Sequence, residues 1–203
     1  MNNRIFQKIR DRYEHFFRVS PKVNSSQGKY SKLIKEDLYT EYFQTVLADP
    51  EIDMETKKLV ALLTTGLRIT EVMHIKVNQL NLEALRVERV LILKKRKQDL
   101  RLTKPLHPVV IEFLRSAVNN KNGDEFILTF PNRHQPFRRL NRYFGTGCHD
   151  YRHSFVSYFL KKNKNQGLEK ITAIQGWSNV AMAYNYANVD TTAEVDNFFK
   201  EAA

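Results

Sequence analysis

The sequence predicts a mainly α-helical fold with a small antiparallel β-sheet, an α+β architecture. Three observations carry that expectation. Apolar residues recur at helical spacing through most of the chain, while Arg86 to Lys94 alternates as a strand and Leu100 to Leu106 can return beside it. The 203 residues, 42% hydrophobic and 27% charged, have the composition of an ordinary globular protein able to bury a core.

At the amino end, Ile5, Ile9, Tyr13, Phe16 and Phe17 lie near helical spacing, predicting an amphipathic helix over Asn3 to Phe17. The polar stretch Ser20 to Tyr30 contains Pro21 and Gly28 and reads as a linker. A domain boundary is therefore expected near residue 30, with an appendage over 1–30 and the main body over 31–203. The body opens with a helix over Leu33 to Leu47, ended by Ala48-Asp49-Pro50. A helix over Met54 to Thr65 stops at Gly66, and Thr70 can cap a short helix through Ile75. The two strands follow, joined by a basic tip. Helices are then expected over Val109 to Val118, Pro136 to Tyr143, His149 to Lys162, Leu168 to Ile174, Val180 to Tyr186 and Thr191 to Phe199.

Composition also excludes several classes. No apolar run reaches membrane-span length, and the start lacks a signal peptide's apolar core. The single cysteine, Cys148, cannot form an internal disulfide, which fits a reducing cytoplasm. It also rules out a Cys-rich zinc site. The formal net charge of +11 points instead to a polyanionic partner. Arg86 to Lys104 holds eight Lys/Arg, among them Lys94, Lys95, Arg96, Lys97, Arg101 and Lys104, against Glu88 and Asp99. Arg133 to Arg142 holds Arg133, Arg138, Arg139 and Arg142 and no acid. Such clusters suit phosphate contacts that release counterions.

Three segments carry chemistry. In CHDYRHSF, Cys148 to Phe155, a helix beginning near His149 puts His149, Arg152 and His153 on one face. An arginine there can donate two parallel bonds to a phosphate, and a histidine can donate one or move a proton. In TTGLRITEV, Thr64 to Val72, Arg68 sits in a tight connection between two helices, with Glu71 placed to orient a neighbouring cation. In GWSNVAMAYNYANVD, Gly176 to Asp190, the only tryptophan, Trp177, precedes Tyr186 by nine residues, with Tyr184 nearby. Taken singly, each admits a plain alternative: a solvated helix start, a surface arginine, an aromatic core cluster.

Taken in order, they resemble a family. G-L-R-x-x-E, a basic β-hairpin, H-x-x-R-H and G-[HW]-x(8)-Y together resemble the tyrosine recombinases and phage-type integrases, over roughly Leu33 to Glu201. The resemblance implies the tyrosine recombinase catalytic-domain fold. It implies Arg68 and Arg152 as the catalytic arginines, Glu71 as an acidic companion and His149 as the histidine of the box. Trp177 stands where most members have histidine, and Tyr186 is the nucleophile. The catalytic lysine belongs to the hairpin turn, where Lys94, Lys95, Lys97 and Lys104 are candidates; Lys97 is chosen because it falls at the tip, eight residues before Pro105.

Double-stranded DNA is the implied substrate, cleaved and rejoined through a 3′-phosphotyrosyl link with no metal or other cofactor. The resemblance also implies a clamp domain ahead of the catalytic one, which about thirty residues are too few to form. The segment Thr191 to Ala203 resembles a helix exchanged between subunits, so a homo-tetramer on DNA, and a monomer or dimer without it, is expected. Alternatives are a type IB topoisomerase, a telomere resolvase, or a DNA-binding factor that keeps the fold without catalysis.

Overall fold

The computed structural model describes residues 3–21, 30–93, 100–163, 167–177 and 179–180. Apart from Val180, the helices expected over 180–186 and 191–199 lie outside those residues, as does the hairpin tip at 94–99.

The first helix, α1 (Asn3–Tyr13), is shorter than its apolar spacing predicts, because Glu14–Phe16 tightens into a 3-10 turn and Phe17 begins a strand. That strand, β1 (Phe17–Pro21), pairs antiparallel with β2 (Tyr30–Ile34), Phe17 opposite Ile34 and Pro21 opposite Tyr30. The ends of the expected linker are thus paired backbone. Phe6, Ile9, Tyr13 and Phe16 are buried in the same cluster as the following helices, so α1 and the turn after it share the core of the body.

Helix α2 spans Tyr39–Ala48, not Leu33 to Leu47. The apolar pair Leu33–Ile34 that suggested a helix is buried as strand, and Lys35 N–H donates to the Phe16 carbonyl at 2.9 Å. Tertiary pairing with β1 overrides local spacing there. An aromatic cluster binds these pieces: Tyr13 meets Tyr42 and Phe144 edge-on, and Tyr42 meets Phe16, Phe17 and Phe43 the same way. Edge-to-face pairs contribute roughly 0.5–1.5 kcal/mol each beyond burial. The buried Tyr13 hydroxyl donates to Asp49 at 3.0 Å, so that phenol is satisfied.

Helix α3 (Met54–Leu63) is the centre of the molecule. Residues Lys58 to Leu63 are all buried, as expected of a helix walled in on every side. Asp53 caps it, accepting from Thr56 N–H at 3.0 Å. The short α4 (Ile69–Val72) follows, and β3 (Leu80–Asn81), β4 (Arg86–Leu91) and β5 (Arg101–Pro105) form a three-stranded antiparallel sheet in chain order. The hairpin expected from alternation is therefore present, with a third short strand and a second sheet that alternation did not reveal. A register shift between Val87 and Val90, with Arg89 at φ 55°, bends β4. Helices α5 (Ile111–Val118), α6 (His134–Phe144), α7 (Cys148–Lys162) and α8 (Gly167–Gln175) complete the described fold, each within a few residues of its expected place. No helix among the described residues is long and apolar enough to cross a membrane.

Candidate active site

Two helix ends build the site. At the first, α3 runs out of carbonyl partners and its terminal threonines supply them: Thr64 and Thr65 hydroxyls donate to Ala61 and Leu62 at 2.6 and 2.7 Å. Gly66 then takes φ +67°, which reverses the chain. No larger residue fits, since a Cβ there would meet Phe155 Cδ1 at 2.3 Å and Gln175 Nε2 at 2.6 Å.

Arg68 emerges from this turn as the N-cap of α4, the place expected of Thr70. Glu71, 1% exposed, accepts from the Arg68 backbone N–H at 2.9 Å and from its guanidinium at 3.3 Å. One carboxylate thus fixes both the start of α4 and the arginine. Thr70 fails as a cap because this two-point bond starts the helix two residues earlier.

The second partner arrives on α7. Gly147 N–H donates to Asp150 Oδ2 at 2.8 Å and starts the helix, while Ser154 ties it to β2 by accepting from Ile34 N–H at 2.9 Å. Arg152, one turn in, is 3% exposed and donates through Nη1 to the Gly66 carbonyl at 2.7 Å. The two arginines are therefore joined through the backbone of one turn. His149 is exposed, its ring centre 6.2 Å from that of His153, so the expected shared face is real at its outer edge while Arg152 turns inward.

At the end of α8, Gly176 takes φ +63° and Trp177 N–H donates to the Thr172 carbonyl at 3.0 Å, the bond that closes a helix through a left-handed glycine. This sets the half-buried Trp177 ring with the Arg152 guanidinium carbon 5.5 Å from its centre, a cation–π contact.

The structure corrects one expectation. Lys104, grouped by its surroundings in the sequence with the DNA-contacting surface cations, is 0% exposed and cannot make a surface phosphate contact. The backbone alternation turns it inward with Leu102, and its ammonium donates to the Ile174 carbonyl. Burial first, then Arg152 and Arg68, push it down to about 7, opposed by Glu71. It belongs to the arginine site.

Gln175, next in sequence to Ile174, was not anticipated; it is 1% exposed, and neither amide atom is bonded among the described residues. Its signal was faint, a polar residue on the buried side of a helix end. Lys94, Lys95, Arg96, Lys97 and Tyr186 lie outside the described residues. Among those described, no cluster of three His, Cys, Asp or Glu side chains is placed to hold a metal ion.

The remaining basic residues stand elsewhere. Arg133, Arg138 and Arg142 are exposed on α6 or at its start, and Arg138, Arg139 and Arg142 line a shallow pocket with Gln135. Arg139 is partly committed to Asp53 at 2.6 Å, and the Arg142 guanidinium lies 4.9 Å from the centre of the Phe6 ring. Arg101 is exposed on β5.

Residues 36–193 match the phage integrase family. The chain belongs to that family. No match is found among curated protein sequences. Solved integrase-like structures share the fold. XerA recombinase superposes with a TM-score of 0.61 at 15% identity, over 84% of this chain and 65% of that one. The Tn1549 transposon integrase, in complex with a circular intermediate DNA, gives 0.60 at 16% identity, over 89% and 68%. XerH site-specific recombinase bound to its difH substrate gives 0.56 at 19% identity, over 79% and 52%. This integrase-family chain thus spans about two thirds of the XerA chain, and its helices and small antiparallel sheets are those of a tyrosine recombinase catalytic domain.

Proposed function

We propose that the chain is the catalytic domain of a site-specific DNA recombinase or integrase, which cleaves and rejoins strands through a 3′-phosphotyrosyl intermediate. The observation that carries this reading is the joining of Arg68 and Arg152 through the Gly66 turn, with Trp177 packed on Arg152. A phosphodiester resists attack because it is already anionic, and its pentavalent transition state concentrates charge on the non-bridging oxygens. Two fixed guanidinium groups, an indole N–H and a histidine at its edge are donors of the kind that stabilise such charge.

In this reading Tyr186 attacks the phosphorus. A phosphorus–O(tyrosyl) bond forms as the bond to the 5′ oxygen breaks. His149 accepts the phenol proton, and Lys97 gives a proton to the departing 5′ oxygen, which leaves as a hydroxyl. Free tyrosine ionises near 10, and neighbouring guanidinium groups favour the phenolate. The phosphodiester energy is kept in the covalent link, so rejoining by reversal requires no external energy source. Glu71 acts by holding Arg68.

Double-stranded DNA is the partner, consistent with the charge of +11 and the exposed arginines of α6. The catalytic domain is proposed to take in 31–203 together with α1 and β1, which share its core, with a homo-tetramer on DNA completed by the segment 191–203 and a cytoplasmic site of action.

The test is a nicked suicide DNA substrate, on which strand loss traps the covalent adduct. Wild type is expected to form an adduct that maps to Tyr186, while Tyr186→Phe binds the same DNA and forms none. An adduct persisting in that variant moves the nucleophile elsewhere, Tyr184 first. Sequence-independent relaxation of supercoiled plasmid would favour the topoisomerase reading instead.

A further inference from the structure

A lysine occupies an inward position of β5 where alternation calls for an apolar side chain. Leu102 precedes it on the same face, and Leu106, just beyond the strand, is buried. Opposite it in the sheet stands Val87, also fully buried. An aliphatic residue would suit these neighbours, so the amine needs another reason to be there.

Its ammonium donates to the carbonyl of Ile174, in the last turn of α8, where helix carbonyls lack partners and carry partial negative charge. Leu102, two residues back on the same face, is pressed against Gly176, where a Cβ would come within 2.5 Å of Leu102 Cδ1. One strand face therefore holds the end of α8 at two points, either side of Gln175 and directly before Trp177. The same strand leads back from the hairpin tip.

We propose that Lys104 is a positioning residue of the site: its bond to Ile174 latches the hairpin strand to the end of α8 and holds Trp177 against Arg152. This deepens the recombinase reading and rests on it only for its catalytic consequence.

Among the described residues, the charged groups facing Lys104 are Arg152 from α7 and Glu71 and Arg68 from the α4 turn, while α8 contributes the Ile174 carbonyl. Burial, then Arg152, brings the amine to about 7. The latch therefore holds an ammonium below neutrality and a weaker-donating amine above it. His149 and His153 lie on the same helix, three residues before Arg152 and directly after it, so a variant must separate their effects from that of Lys104.

Trp177 is the only tryptophan, so its emission reports this turn without DNA. Wild type is expected to show a transition in Trp177 emission centred near pH 7, and Lys104→Met to lose it. Lys104→Gln keeps an uncharged donor and is expected to give emission independent of pH around 7. A transition absent from wild type, or unchanged in either variant, overturns the proposal. Thermal unfolding gives a second reading. An amine titrating near 7 when folded, against about 10.4 when unfolded, releases its proton first in the folded state. Wild-type stability should then rise relative to Lys104→Met between those values.

On the suicide substrate, Lys104→Met is expected to lower the rate of adduct formation about tenfold with DNA affinity unchanged, the pattern of a misplaced rather than missing group. Equal losses in rate and affinity count against the latch. Should wild type form no adduct, the recombinase reading fails while the emission titration still judges Lys104.

Discussion

Arginines in two regions of this molecule do opposite things. Arg152 is 3% exposed and has a backbone carbonyl as its partner, so its orientation is settled before any ligand arrives. Arg138 and Arg142, on α6, are open to solvent. A buried guanidinium gives up hydration and conformational freedom for direction, which is what a developing charge in a transition state requires. An exposed one keeps both, and contributes mainly by displacing counterions from a polyanion. The chain's net charge counts these two kinds alike, although one is buried and fixed and the other hydrated and free to move.

Four substitutions sharpen or break that contrast. The largest effect is expected from Arg152→Ala, a loss of about 10²–10³ in adduct formation with DNA affinity nearly intact. Single-turnover rates on suicide substrate, set beside equilibrium binding, check it. A loss of affinity matching the loss of rate would make Arg152 one more backbone contact.

Next comes the pair of left-handed glycines that end the helix of each region. Gly66 and Gly145 share φ +67°, but a Cβ on Gly145 finds its nearest neighbours at 3.5 Å, whereas one on Gly66 meets Phe155 at 2.3 Å. Gly145→Ala should cost the left-handed strain alone, about 1–2 kcal/mol, and Gly66→Ala a further 1–3 kcal/mol of overpacking. Chemical denaturation of both variants measures the difference, and equal destabilisation would mean the packing around Gly66 yields.

The smallest effect belongs to Arg138→Ala. It should weaken binding to all DNA sequences alike and reduce the slope of log affinity against log salt by about 0.9. The rate of cleavage once DNA is bound should not change. A fall in that rate would place α6 among the groups that act on the reacting phosphate.

Much of this was legible beforehand, wherever the signal was local. Gly66 and Gly176 mark helix ends because a left-handed residue is needed within one or two positions of the last turn, and both glycines deliver a site residue just beyond. The hairpin was visible from the alternation of Arg86 to Lys94 and Leu100 to Leu106. Leu33 and Ile34 were misread because two apolar neighbours suit a strand edge as well as a helix, and only pairing with Phe17 and Arg18 decides between them. Arg68 displaced Thr70 as the cap through Glu71, whose two-point bond no propensity scale contains. Lys104 could have been suspected from its inward place between Leu102 and Leu106, but eight cations in one stretch argued for the surface.

By itself, the order of residues along the chain determined the family and the fold class, because both rest on spacings of a few residues. Tertiary structure alone decided that α1 shares the core of the body, that Arg152 is anchored on Gly66, and that Lys104 faces inward. Those outcomes depend on partners 86 residues apart for Arg152 and 70 for Lys104. Contacts of that reach are chosen by which surfaces can exclude water together, a property of the whole packed chain that no short window of sequence contains.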